Sequence, residues 1–191
     1  MAREARASAG GDDRRERLKA IIAAKAITRE GCFRLASGAT STFYVDMRVV
    51  TLDPEGLALI ADLVLDVLER EGVAYVGGME AGAIPIASGV ALRSFERGVP
   101  IAAFFVRKSP KEHGTRKSIE GNLREGARVA LVEDVTTSGG SVLKAVKAVR
   151  EIGCTVALVV TIVDRLAGAA DNLAREGVDL VALFTRDDFP A

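Results

Sequence analysis

The sequence has no tryptophan, one histidine and two cysteines, and aromatic residues make up only 5% of it. A single histidine excludes a His-rich metal centre. Cys32 and Cys154 lie far apart without CxxC or metal-ligand spacing, so they read as free thiols of a reducing compartment. Net charge is also missing, since 26 Lys and Arg balance 26 Asp and Glu. That argues against a surface built to hold long nucleic acid by bulk charge, but leaves room for a local basic site. No apolar run approaches the roughly 20 residues that span a bilayer. The N-terminal stretch MAREARASAGGDDRRER lacks an apolar signal core. The expected setting is the cytoplasm, with neither membrane nor nucleic acid as partner.

What is present is aliphatic. Hydrophobic residues form 49% of 191, enough for one domain with a single core over 1–191. Residues 1–11 read as a loose tail and 12–26 as a helix. Residues 32–36 and 42–46 alternate like two short strands around a Ser37-Gly38 turn. From Asp53-Pro54, a cap followed by a first-turn proline, the pattern becomes strand and helix in alternation. Helices are expected at 54–71, 83–97, 140–151 and 168–176. Strands are expected at 74–78, 100–106, 127–134, 155–164 and 179–184. Apolar strands alternating with helices predict an α/β fold, a central parallel sheet flanked by helices. In such sheets ligands sit at the carboxyl ends of the strands, here 77–83, 107–120, 133–141 and 164–168.

The most informative segment is VALVEDVTTSGGSVLKAV, residues 129–146. An apolar strand ends in Glu133 and Asp134, a Thr/Ser/Gly loop follows, and a helix begins. Small residues let backbone amides face an anion, and the helix N-terminus adds partial positive charge. The segment is neither a Walker A loop, which needs Gly-Lys-Ser/Thr, nor a GxGxxG turn. Two carboxylates before the loop would repel a polyphosphate but suit the vicinal hydroxyls of a ribose. The combination points to a ribose 5-phosphate; the plainer reading is a Gly-rich turn before a capped helix.

This segment resembles the 5-phosphoribosyl 1-diphosphate (PRPP) signature of type I phosphoribosyltransferases. A second segment narrows the resemblance. VRKSPKEHGTRKSIEG, residues 106–121, is rich in cations and has no apolar periodicity, with Pro110 and Gly114 against a regular helix. Breaking a ribosyl C1–O bond leaves a charged diphosphate and a water-sensitive, oxocarbenium-like sugar. A closing cationic loop stabilises the first and shields the second. The spacing at 107–114, with FRLASGATSTFYVDMR upstream and TIVDR downstream, is similar to orotate phosphoribosyltransferases over roughly residues 14–189.

The resemblance implies a Rossmann-like type I phosphoribosyltransferase fold. A helix and small N-terminal hood would occupy about 12–50 and an α/β core about 51–191, with a lid at 107–120. It implies Mg2+ held mainly through PRPP and water, with no direct protein ligand. It also implies a homodimer in which the lid acts across the interface. Lys111 and His113 would reach the neighbour's diphosphate, and Arg107 and Lys108 would bind at the lid base. Glu133 and Asp134 would orient the ribose, with Val135, Thr136, Thr137, Ser138, Gly139, Gly140 and Ser141 around the 5-phosphate. Lys111, His113 and Asp134 are the expected catalytic residues. Thr137 and Arg165 are expected on orotate, with Phe33, Ser37, Gly38 and Tyr44 in the hood.

The expected reaction transfers phosphoribose from PRPP to N1 of orotate. Alternatives are transfer to another base, such as a purine, and a non-catalytic PRPP sensor that binds nucleic acid. Two departures from the family stand out. Ala36 occupies a position where some members have lysine, and GGMEAGAIP at 77–85 contains none. Glu80 reads either as a partner of hydrated Mg2+ or as a solvent-facing acid.

Overall fold

The computed structural model describes residues 3–4, 9–28, 33–34, 40–41, 44–109 and 118–190. The N-terminal part comprises β1 (Arg3–Glu4), α1 (Ala9–Lys25), β2 (Ile27–Thr28), β3 (Phe33–Arg34), β4 (Thr40–Ser41), β5 (Tyr44–Val45) and α2 (Arg48–Thr51). The core follows as α3 (Pro54–Glu71), β6 (Tyr75–Gly77), α4 (Ala83–Glu96), β7 (Ala102–Val106) and β8 (Ile119–Gly121). It continues through β9 (Arg128–Thr136), α5 (Gly140–Glu151), β10 (Thr155–Asp164), α6 (Ala169–Arg175) and β11 (Asp179–Thr185).

Local chemistry sets the helix ends where the sequence signals them. The Asp53 carboxylate accepts a hydrogen bond from the Gly56 amide at 2.9 Å, Pro54 fills the first turn, and Gly72 closes α3 in the left-handed region at φ 59°.

Seven strands form one sheet in the order β1-β11-β10-β9-β6-β7-β8. All neighbours are parallel except β8, which runs antiparallel to β7 at the edge. Side chains alternate across the sheet. Ala130, Val132, Val160 and Ile162 pack with α1, α3 and α4 on one face. Val129, Leu131 and Val159 pack with α5 and α6 on the other. Burial on both faces is what a continuous apolar strand such as TVALVVTIVD requires. Among the described residues, no helix is long and apolar enough to cross a membrane.

Three local expectations need correction. The tail contains β1, whose Arg3 and Glu4 pair with Val181 and Ala182, and α1 begins at Ala9. The two N-terminal strands do not make one simple hairpin: β3 pairs with β4, while β5 pairs with β2. The segment 107–120 is not wholly irregular, because Ile119–Gly121 returns as the edge strand.

The helices after β6 and β9 leave toward opposite faces, since α4 packs in the first cluster and α5 in the second. A crevice therefore opens between the carboxyl ends of these adjacent strands, at the topological switch point.

Candidate active site

β9 carries Glu133 and Asp134 into this crevice and ends at Thr136. Gly139 then turns in the left-handed region at φ 79°, a conformation that disfavours a side chain, and α5 begins at Gly140. The loop is braced from β10 and α6. Asp164, 1% exposed, accepts from the Thr136 hydroxyl at 3.2 Å and the Leu166 amide at 3.0 Å. The Arg165 amide donates to the Thr136 carbonyl at 2.9 Å. Asn172 Nδ2 donates to the Ser138 carbonyl at 2.9 Å. Asp164 and Arg165 are thus not the loosely paired surface turn that an adjacent acid and base alone would suggest. Asp164 is a buried clamp, a role invisible without the β9–β10 register.

Two cavities meet at the acid pair. The first, about 490 Å3, is lined by residues 135–142 together with Tyr44, Glu133, Lys144 and Arg165. The second, about 380 Å3, is lined by residues 44–48, 79–82, Lys108, Glu133, Asp134 and Ser141. Tyr44, Glu133 and Ser141 belong to both. Each volume lies in the range of small-molecule sites.

Glu133 Oε2 is buried and has no hydrogen-bond partner among the described residues. Burial, reinforced by the neighbouring Asp134 and opposed by Lys108, pushes the Glu133 pKa up to about 8. Burial also raises Asp134, although its Oδ1 accepts the Val135 amide at 2.9 Å. An orphaned acceptor in a polar cleft is costly unless a ligand donates to it. Gly82 keeps the space in front of Asp134 open, because a Cβ there would lie 2.7 Å from Asp134 Oδ1. Burial, with Arg186 adding repulsion, lowers the pKa of Arg165.

The structure therefore gathers Glu133, Asp134, the 135–141 loop, Thr137 and Arg165 around one cleft, with Lys108 at the second cavity. Arg107 lines neither; its Nε donates to the Ser109 carbonyl at 3.2 Å and its Nη1 lies 4.0 Å from Glu120 Oε1. Lys111, His113, Ala36, Ser37, Gly38 and Cys32 lie outside the described residues, as does the side chain of Phe33. Glu80 has a partner that neither sequence reading foresaw: its Oε1 accepts the Lys108 amide at 2.7 Å. Lys144, Asp46 and Arg48 also line the cavities, and sequence reasoning gave them no role.

A parallel sheet with an acid pair and a Thr/Ser/Gly loop at its switch point defines the type I phosphoribosyltransferase class, and the phosphoribosyl transferase domain model matches residues 51–180. An orotate phosphoribosyltransferase of Bradyrhizobium sp. strain BTAi1 is 48% identical over 179 residues, covering 92% of this chain and 96% of that protein. The Mycobacterium tuberculosis H37Rv orotate phosphoribosyltransferase, in complex with Fe(III) dicitrate, superposes with a TM-score of 0.82 at 36% identity, covering 93% and 99% of the two chains. The same enzyme in complex with PRPP gives 0.77 at 35% identity, covering 92% and 98%. The chain belongs to the orotate phosphoribosyltransferase family.

Proposed function

We propose that the two cavities divide PRPP between them, in a chain that catalyses phosphoribosyl transfer from PRPP to N1 of orotate. The products are orotidine 5-monophosphate and diphosphate, and the step serves pyrimidine biosynthesis. The observation that carries the division of roles is the buried Oε2 of Glu133, a residue that lines both cavities; this atom has no hydrogen-bond partner among the described residues.

The amides and hydroxyls of residues 136–141 take the 5-phosphate at the α5 N-terminus. Glu133 and Asp134 hold the ribose hydroxyls. In the free chain the Glu133 pKa of about 8 leaves it largely protonated near neutral pH, so it can donate as well as accept. The diphosphate then points into the second cavity, beside Lys108. Orotate enters between Tyr44 and the loop, where Thr137 contacts the base and the Arg165 guanidinium takes the carboxylate in a planar fork.

Hard carboxylate oxygens and an oxyanion-rich substrate fit Mg2+, which supplies charge neutralisation when bound. In this reading PRPP and water provide most of the ligands of the metal. As the C1–O bond breaks, its electrons leave with diphosphate, and orotate N1, its proton already lost to solvent, uses its lone pair to bond to C1. Lys111 and His113, reaching from the lid of the other subunit of a homodimer, stabilise or protonate the departing diphosphate.

The test is the loss of orotate absorbance on addition of PRPP and Mg2+, with adenine and hypoxanthine as competing bases. Orotate alone should be consumed. Consumption of a purine instead would overturn the reading of the first cavity.

A further inference from the structure

The second cavity contains a cation that the roles above leave unused. Among the described residues, its lining carries the acids Asp46, Glu80 and Asp134, the largely protonated Glu133, and the cationic side chains of Arg48 and Lys108. A diphosphate is a poor guest for such a lining unless each cation contributes. The stretch 77–85, whose residues 79–82 line the cavity beside Lys108, holds no lysine or arginine.

Arg48 is the first residue of α2 and is mounted rigidly. Met47 and Val50, 1% and 0% exposed, anchor the turn, and the Asp46 amide donates to the Ala26 carbonyl at 2.9 Å. Arg48 Nε and Nη2 grip Asp46 at 2.8 and 2.7 Å, which aligns the guanidinium and, among the described residues, leaves Nη1 for a ligand. The side chain remains 68% exposed, so it is accessible from the cavity. Its charge is felt by Asp134 across the opening, consistent with a guanidinium facing the acid pair.

We propose that Arg48 binds the diphosphate of PRPP, supplying from the N-terminal region the cation that residues 77–85 lack. The inference rests on the reading of the second cavity as the diphosphate chamber. Asp46 then only parks the guanidinium in the free chain, and its own negative charge competes with the incoming oxyanion for Arg48.

Calorimetric titration tests this with the full chain and Mg2+, using PRPP, diphosphate and ribose 5-phosphate as separate ligands. Arg48→Ala should weaken PRPP and diphosphate by about tenfold or more, the usual scale for a charged hydrogen bond, and leave ribose 5-phosphate unchanged. Asp46→Asn keeps the cation and removes a competing charge, so it should bind diphosphate as well as the wild type or more tightly. Unchanged diphosphate affinity in Arg48→Ala overturns the proposal. A parallel loss in Asp46→Asn and Arg48→Ala also overturns it, because the pair would then act only as scaffold. If Arg48→Ala melts early, Arg48→Gln replaces it under the same criteria. A wild-type chain that binds none of the three ligands contradicts the underlying reading of the cleft, and the role of Arg48 falls with it.

Discussion

Glu80 Oε1 accepts the backbone amide of Lys108 at 2.7 Å and so ties the loop after β6 to the segment that follows β7. The same loop zips onto the end of β7, with the Glu80 amide donating to the Val106 carbonyl at 2.9 Å and the Val106 amide to Gly78 at 2.8 Å. Glu80 therefore acts by accepting a hydrogen bond, a task a neutral amide can share. Glu80→Gln should keep near wild-type turnover, whereas Glu80→Ala should lower kcat/KM for PRPP by about threefold to tenfold, the range of one hydrogen bond. Equal losses in the two variants would show that the charge matters and favour a metal-linked role.

Gly82 offers a test of Asp134. An alanine Cβ would lie 2.7 Å from Asp134 Oδ1, and the carboxylate is the part able to move. Gly82→Ala should fold with a melting temperature close to wild type yet lose PRPP affinity. Steady-state kinetics with varied PRPP would reveal this as a raised KM, and an unchanged KM would separate Asp134 from ribose binding.

The raised pKa of Glu133 makes a signed prediction for the free enzyme. The folded state holds this proton more tightly than the unfolded chain, where the ordinary value is 4.5. Its favourable contribution is fully present below about pH 4.5 and is lost as pH rises through about 8. Glu133→Gln has no charge to bury. Its stability relative to wild type should therefore increase between pH 5 and 8.5 in denaturant titrations. A gap that stays flat across that window would contradict the burial argument.

The lid is tested by Lys111→Ala, with thermal melting measured beside turnover. Loss of a donor to the departing diphosphate should lower kcat by about a hundredfold or more while the fold survives. Undiminished turnover would remove Lys111 from the reaction.

Much of this arrangement is legible in the sequence because it is local. Asp53, Pro54 and Gly72 mark the ends of α3 by capping chemistry that acts within a few residues. Strand, acid pair, loop and helix are contiguous from 128 to 151, so the geometry of the 135–141 loop follows from one stretch of chain. What is not legible depends on distant pairing. Glu80 meets Lys108 across 28 positions, and Asp164 meets Thr136 across the same separation. Two-residue strands such as β2 and β5 are too short for any alternation to register, and their partners are fixed by how α1 and α2 pack. Arg48 escaped notice because one exposed arginine beside an aspartate reads as an ordinary surface pair until the cavity wall is known.

The central claim is that residues 136–141 hold the 5-phosphate while Glu133 and Asp134 hold the ribose hydroxyls. A crystal structure of this chain with PRPP and Mg2+ tests it most directly. The expected result is phosphate oxygens within hydrogen-bonding distance of the loop amides, with a ribose hydroxyl on Glu133 Oε2. PRPP bound elsewhere, with water alone against that loop, would contradict the account.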